Sequence, residues 1–89
     1  MALEDIRKRI DEIDQEIVAL LCERFALMPA VAACKKEHGL AIEQPQREEQ
    51  LLQEKVQLFK EKGFEDDAFV RELFRLIMRK AKQIQADTD

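Results

Sequence analysis

An arginine interrupts the apolar seam of the first long periodic stretch of this chain. Counting in sevens from Leu3 gives Leu3, Ile10, Ile17, Arg24 and Val31, with a companion row of Ile6, Ile13, Leu20, Leu27 and Cys34. Only Arg24 breaks the pattern. A guanidinium cannot shed its charge, and left unpaired in a dry interior it costs several kcal/mol, so an anionic group is expected to meet it. Lys35 follows eleven positions on. At about 100° per residue that returns to within about 20° of the same face, roughly 16 Å further along the axis. Two inward cations on one seam predict a pocket for an anion. By itself, Arg24 fits an ion pair with a glutamate across a dimer interface as well as it fits a ligand contact.

Other polar residues share apolar faces. Gln85 stands eleven after Phe74 and four after Ala81, near the end of the last periodic stretch, where a buried amide needs partners. Glu48 precedes Leu52 by four and Phe59 by eleven, and Arg47 stands in the same relation to Leu51 and Leu58. Both can therefore look inward at the start of a middle stretch. Singly, Gln85, Arg47 and Glu48 also fit solvated surface positions, and Arg7, about 260° around the helix from Arg24, reads as surface charge. Together they make a set of four cations (Arg7, Arg24, Lys35, Arg47), one carboxylate and one amide. The chain has no serine or tyrosine, its one threonine is Thr88 in the tail, and His38 has no acidic or nucleophilic companion. Covalent catalysis is disfavoured. What remains suits binding a small polyanion and stabilising charge that develops during a rearrangement or elimination.

The elements that must position these groups are helices. Only two glycines and two prolines punctuate 89 residues, and the periodic runs are rich in Glu, Lys, Gln, Leu and Ala, which predicts an all-α domain over residues 1–89. A first helix is expected from Leu3 to His38, with Glu4 and Asp5 at its positive end and Gly39 as a left-handed terminator. Pro29 removes one of its hydrogen bonds and predicts a kink near Phe25 to Leu27. A second helix runs from Pro45 to Lys62 and ends at Gly63. A third, capped by Asp66, runs from Asp67 to Gln85, and the last residues, 86–89, are expected to fray. The first helix, at roughly 54 Å, overshoots a compact globule of this size, about 30 Å across. Its excess seam must be covered by another chain, which predicts a two-fold homodimer in which the long helices intertwine.

The net charge of −4, with 38% charged residues and no basic tract, weighs against nucleic acid or an anionic membrane as partner. No run of eighteen apolar residues or signal core is seen, so the expected location is the cytoplasm. Cys22 and Cys34, about 18 Å apart on one helix, cannot bridge within one chain and are expected to be reduced, packed thiols. With His38 they offer no metal-ligand spacing.

The segments DIRKRIDEIDQEIVALLCERF, Lys35, PQREEQLL and FRLIMRKAKQIQ, in this order, resemble the small all-helical chorismate mutases, a likeness covering about Leu3 to Gln85. The resemblance implies three helices per subunit interlocked as a dimer, and a cofactor-free, metal-free Claisen rearrangement of chorismate to prephenate. It also implies residue roles. Arg24 matches the main carboxylate-binding arginine, Lys35 the lysine on a carboxylate and the ether oxygen, and Arg47 a further cation near the pocket. Glu48 matches the acid near the ring hydroxyl, Gln85 the amide that donates to the ether oxygen, and Arg7 the arginine lent by the partner chain. Two positions depart from the pattern. Gln44 stands where many of these enzymes carry an aspartate, and Ala81 where some carry a serine. Loss of the acidic residue brings the chain closer to isochorismate pyruvate lyases of the same fold, which release salicylate. A mutase acting on an amino analogue of chorismate and a noncatalytic dimeric helical module are further alternatives.

Overall fold

The computed structural model describes residues 2–88, all of whose regular structure is helical: α1 (Leu3–Ala26), α2 (Met28–Glu37), α3 (Pro45–Glu61) and α4 (Asp67–Ala86). α1 and α2 are two segments of the one long first helix expected from the sequence. The interruption falls at Leu27, which keeps right-handed helical angles (φ −80°, ψ −14°) while the regular bonding pattern lapses. The cause is Pro29, which has no N–H to give the carbonyl of Phe25. The ladder resumes at once, with Val31 N–H donating to Leu27 O at 3.1 Å.

Both interhelical turns are set by glycine. Gly39 (φ 67°) and Gly63 (φ 85°) occupy the left-handed region. The residues after them close the helix ends, Leu40 N–H on Lys35 O at 2.7 Å and Phe64 N–H on Phe59 O at 2.9 Å, in the Schellman arrangement. Phe64 then stacks obliquely between Phe59 and Phe69, with ring centroids 5.4 and 5.8 Å apart. Asp66 caps α4 through a bond from Phe69 N–H at 3.1 Å. At the far end Ala86 is still helical and Thr88 Oγ1 donates to Ile84 O at 2.8 Å. Of the residues expected to fray, Asp87 and Thr88 follow the end of the helix and Asp89 lies outside the described residues.

α4 is the central element, packed on α3 along one side and on α2 along the other, whereas α1 has sustained contact only with α2. The buried residues are Met28, Leu52, Val70, Met78, Ala81 and Gln85. α1 buries none. Its seam residues stand open, with Leu3 at 59% and Leu20 at 64% exposure. The molecule is accordingly elongated, 55 × 25 × 16 Å with a radius of gyration of 16.2 Å, against about 12 Å for a compact chain of this length. By length and composition alone the Leu3–Glu37 rod is apolar enough to cross a membrane. Glu23 and Arg24 sit within its apolar part, however, and a charge at mid-bilayer is costly. The cysteines correct an expectation: Cys22 and Cys34 are both exposed in the single chain rather than packed, because the rod bearing them has no neighbour on that face.

Candidate active site

The site grows out of the Gly39 turn. Because the turn ties Leu40 back to Lys35 O, the connection folds over the end of α2 and brings Ile42 O within 2.7 Å of Lys35 Nζ. Lys35 donates a second bond, at 2.8 Å, to Oε1 of Gln85 on α4. An ammonium can only donate, so this contact dictates the orientation of the amide: Oε1 faces Lys35 and Nε2 is left as the outward donor. Among the described residues Nε2 has only the thioether of Met28, at 3.5 Å, a weak acceptor. Gln85 is 5% exposed. Lys35 retains a third N–H.

On the opposite wall, Pro45 starts α3 and Glu48 reaches back over the first turn, where its Oε2 accepts from Gln44 N–H at 3.1 Å. Its Oε1 accepts from Lys82 Nζ at 2.8 Å, and the same ammonium bonds Glu43 Oε1 at 3.0 Å. The bond from Lys82 holds the Glu48 carboxyl below its ordinary range, with Gln44 N–H and the charge of Lys35 acting in the same sense against partial burial. Glu48 is therefore an ionised acceptor near neutrality. Lys82 is correspondingly raised by its bonds to Glu48 and then Glu43.

These walls enclose a cavity of about 290 Å³, lined by Arg24, Lys35, Gln44, Arg47, Glu48, Ala81, Lys82 and Gln85 over an apolar bed that includes Met28, Val31 and Met78. Seven of the eight residues singled out from the sequence thus meet in one cavity. Arg24 contributes its most telling atom: Nη1 is buried and has no hydrogen-bond partner among the described residues. A native structure rarely leaves such a donor idle. Arg47 lines the cavity from an exposed position and pairs only loosely, at 4.0 Å, with Glu54. Ala81, being small, leaves the floor open beside Gln85. Arg7 is not in the cavity; it lies seventeen positions before Arg24, about 26 Å up the rod.

Sequence reasoning missed Lys82. The available signal was its place four after Met78 and three before Gln85, which puts it on their face of α4; next to so many surface lysines and arginines it carried no mark of its own. His38, which found no companion in the sequence, bonds Cys34 O through Nδ1 at 2.8 Å and stays outside this cavity.

Chemically, the cavity offers several cations for a polyanion, one ionised acceptor and one forced amide donor, with no hydroxyl or thiol among the residues that line it. That set can hold a compact dicarboxylate and stabilise charge growing on an oxygen near Lys35 and Gln85.

Comparison with known proteins fits this chemistry. The family described as chorismate mutase type II matches residues 6–86. A chorismate mutase from Methanocaldococcus jannaschii is 34% identical over 83 residues, covering 93% of this chain and 83% of that one. A T-protein from Haemophilus influenzae is 34% identical over 80 residues, which are 90% of this chain and 21% of the longer protein. A solved structure, a conserved hypothetical protein from Pyrococcus furiosus, is similar with a TM-score of 0.72 and 35% identity, 93% of each chain being covered.

Proposed function

This chain belongs to the chorismate mutase type II family, and from that premise we propose that its cavity catalyses the intramolecular Claisen rearrangement of chorismate to prephenate. The observation that carries the assignment to this cavity is that Arg24, whose Nη1 is buried without a partner among the described residues, lines the same space as the Lys35–Gln85 pair. Arg24 and Arg47 bind the substrate carboxylates and draw the enolpyruvyl side chain over the ring into the reactive conformer. As the C–O bond breaks and the new C–C bond forms, negative charge grows on the ether oxygen. The third N–H of Lys35 and Nε2 of Gln85 stabilise it. No proton is transferred in this step, so no residue of the cavity has to act as an acid or base. The substrate's hydroxyl is its one neutral donor, and it pairs with Glu48, the one carboxylate lining the cavity. Gln44 and Ala81 complete the wall and floor around it.

The test is product identification by chromatography after incubating the protein separately with chorismate and isochorismate. Prephenate from chorismate is expected. Salicylate and pyruvate from isochorismate, with little prephenate, would overturn the assignment. A protein inert toward both, and unable to bind a bicyclic dicarboxylate analogue of the transition state, would be a noncatalytic module.

The working unit is a homodimer in which a second copy covers the bare seam of α1 and lends its Arg7 to the cavity. The apolar rows of α1, none of whose residues is buried, support this reading, as does the position of Arg7, remote from the cavity of its own chain. Light scattering should give about twice the chain mass of 10.4 kDa. Arg7→Ala and Arg24→Ala variants should each be nearly inactive. Mixed in equal amounts under conditions of subunit exchange, they should recover about a quarter of wild-type activity, because half the dimers then hold one intact site. No recovery after verified exchange would refute the shared site.

A further inference from the structure

Lys82 is unlike the other cations of the cavity because two carboxylates engage it at short range. Its side chain is about a quarter exposed and makes two short bonds, to Glu48 at 2.8 Å and to Glu43 at 3.0 Å. Those bonds tie three elements together: α4 through Lys82 itself, α3 through Glu48, and the connection between α2 and α3 through Glu43. Glu48 lines the cavity beside it, whereas Glu43 lies outside, 73% exposed. The corner that receives the substrate's hydroxyl is therefore a carboxylate whose charge is countered in place.

We propose that Lys82 is a positioning and selectivity residue: by clasping Glu48 to the cavity wall and neutralising it, Lys82 makes this corner accept a neutral hydroxyl donor and refuse a cationic ammonium at the same ring position. The inference rests on the placement of the substrate hydroxyl at Glu48 given above. A tethered carboxylate retains lone pairs for one O–H donor. An ammonium in the same place would gain little from a carboxylate already paired and would be repelled by Lys82, an exclusion by like charge rather than by shape. Without Lys82, Glu48 would present a bare negative charge, for which the ammonium is the better partner.

The experiment measures kcat/KM for chorismate and for its analogue bearing an amine in place of the ring hydroxyl, at neutral pH, in the wild type, Lys82→Met, Lys82→Gln and Lys82→Arg. Wild type and Lys82→Arg should favour chorismate. In Lys82→Met and Lys82→Gln the ratio should move toward the amine by about tenfold or more, mostly through KM. The glutamine variant keeps a polar donor at the surface, so it separates loss of charge from loss of packing. A second readout is the acidic limb of the chorismate profile. Glu48 bonds Lys82, which also bonds Glu43; the other charged groups that line the two cavities beside it are Lys35 from α2, Arg24 from α1, Arg47 and Glu49 from α3, and Arg75 and Arg79 from α4. Its largest lowering influence is Lys82. That limb should move to higher pH in Lys82→Met. If both neutral variants turn over chorismate with the wild-type ratio and an unmoved acidic limb, Lys82 is only structural and the proposal fails. If the wild type turns over neither compound, the reading of the cavity itself fails instead.

Discussion

Arg24→Met should reduce the turnover of chorismate by about three orders of magnitude while raising the melting temperature of the protein. The functional loss follows from removing a charge-assisted, partly buried contact to a substrate carboxylate, which is worth on the order of 3–5 kcal/mol when its partner is left unpaired. The gain in stability follows from the same atom seen without substrate. Nη1 of Arg24 is buried with no partner among the described residues. An unsatisfied buried donor costs about 1–3 kcal/mol, and methionine continues the apolar row of Ile10, Ile17 and Val31. The native protein thus holds an unsatisfied binding group whose cost a hydrophobic residue would remove. Steady-state kinetics and thermal unfolding at one fixed protein concentration measure the two effects together. A variant that loses activity and also melts lower would show Arg24 already engaged by a carboxylate of the second copy, the ion-pair role that its place in the seam equally allows. A variant that keeps its activity would remove Arg24 from the site.

The second large effect is expected at Gln85. Lys35 donates to Oε1, which leaves Nε2 facing a thioether and ready for a better acceptor. A donor of this kind gains most as charge develops on the ether oxygen. Gln85→Ala should therefore lower kcat by about a hundredfold with little change in KM, since losing one preorganised donor typically costs on the order of 3 kcal/mol. Gln85→Glu sharpens the test. A carboxylate there would accept from Lys35 but could not donate, so only the protonated form can do the work of the amide. Its activity should rise as pH falls toward and below the carboxyl pKa and be lost above it. Burial acts to raise that pKa and the ion pair with Lys35 to lower it. A profile as flat as the wild type's, at undiminished rate, would mean that Nε2 never meets the reacting oxygen.

Much of the cavity was legible from spacing. Arg24, Lys35, Arg47, Glu48 and Gln85 were each singled out as polar residues at apolar register positions, and all five line the same space. Helical periodicity reports which face of a helix a residue shares, and these residues share the faces of the apolar residues around them, Arg47 from an exposed position. Lys82 was not legible because its register matched the inward face only through Met78 and Gln85, while its type is common on solvated faces. What gives it meaning is the pair of carboxylates brought to it from Glu43 and Glu48, thirty-nine and thirty-four positions away. The break in the first helix was legible from Pro29, whose missing N–H is a covalent fact. The exposure of Cys22 and Cys34 was not, because whether a seam is covered depends on what packs against it.

By itself, the sequence determined the local matters: helices from periodicity and propensity, their ends at Gly39, Gly63 and Asp66, and an arginine placed where an apolar side chain belongs. Backbone sterics and hydrogen bonding over a few residues decide all of these. The tertiary structure decided which way the Gln85 amide faces, which hydrogen bonds Lys35 spends, and that Glu48 is clamped by Lys82. Those outcomes require α2, α3 and α4 to meet around one cavity, and no local periodicity encodes which donor will find which acceptor once they do.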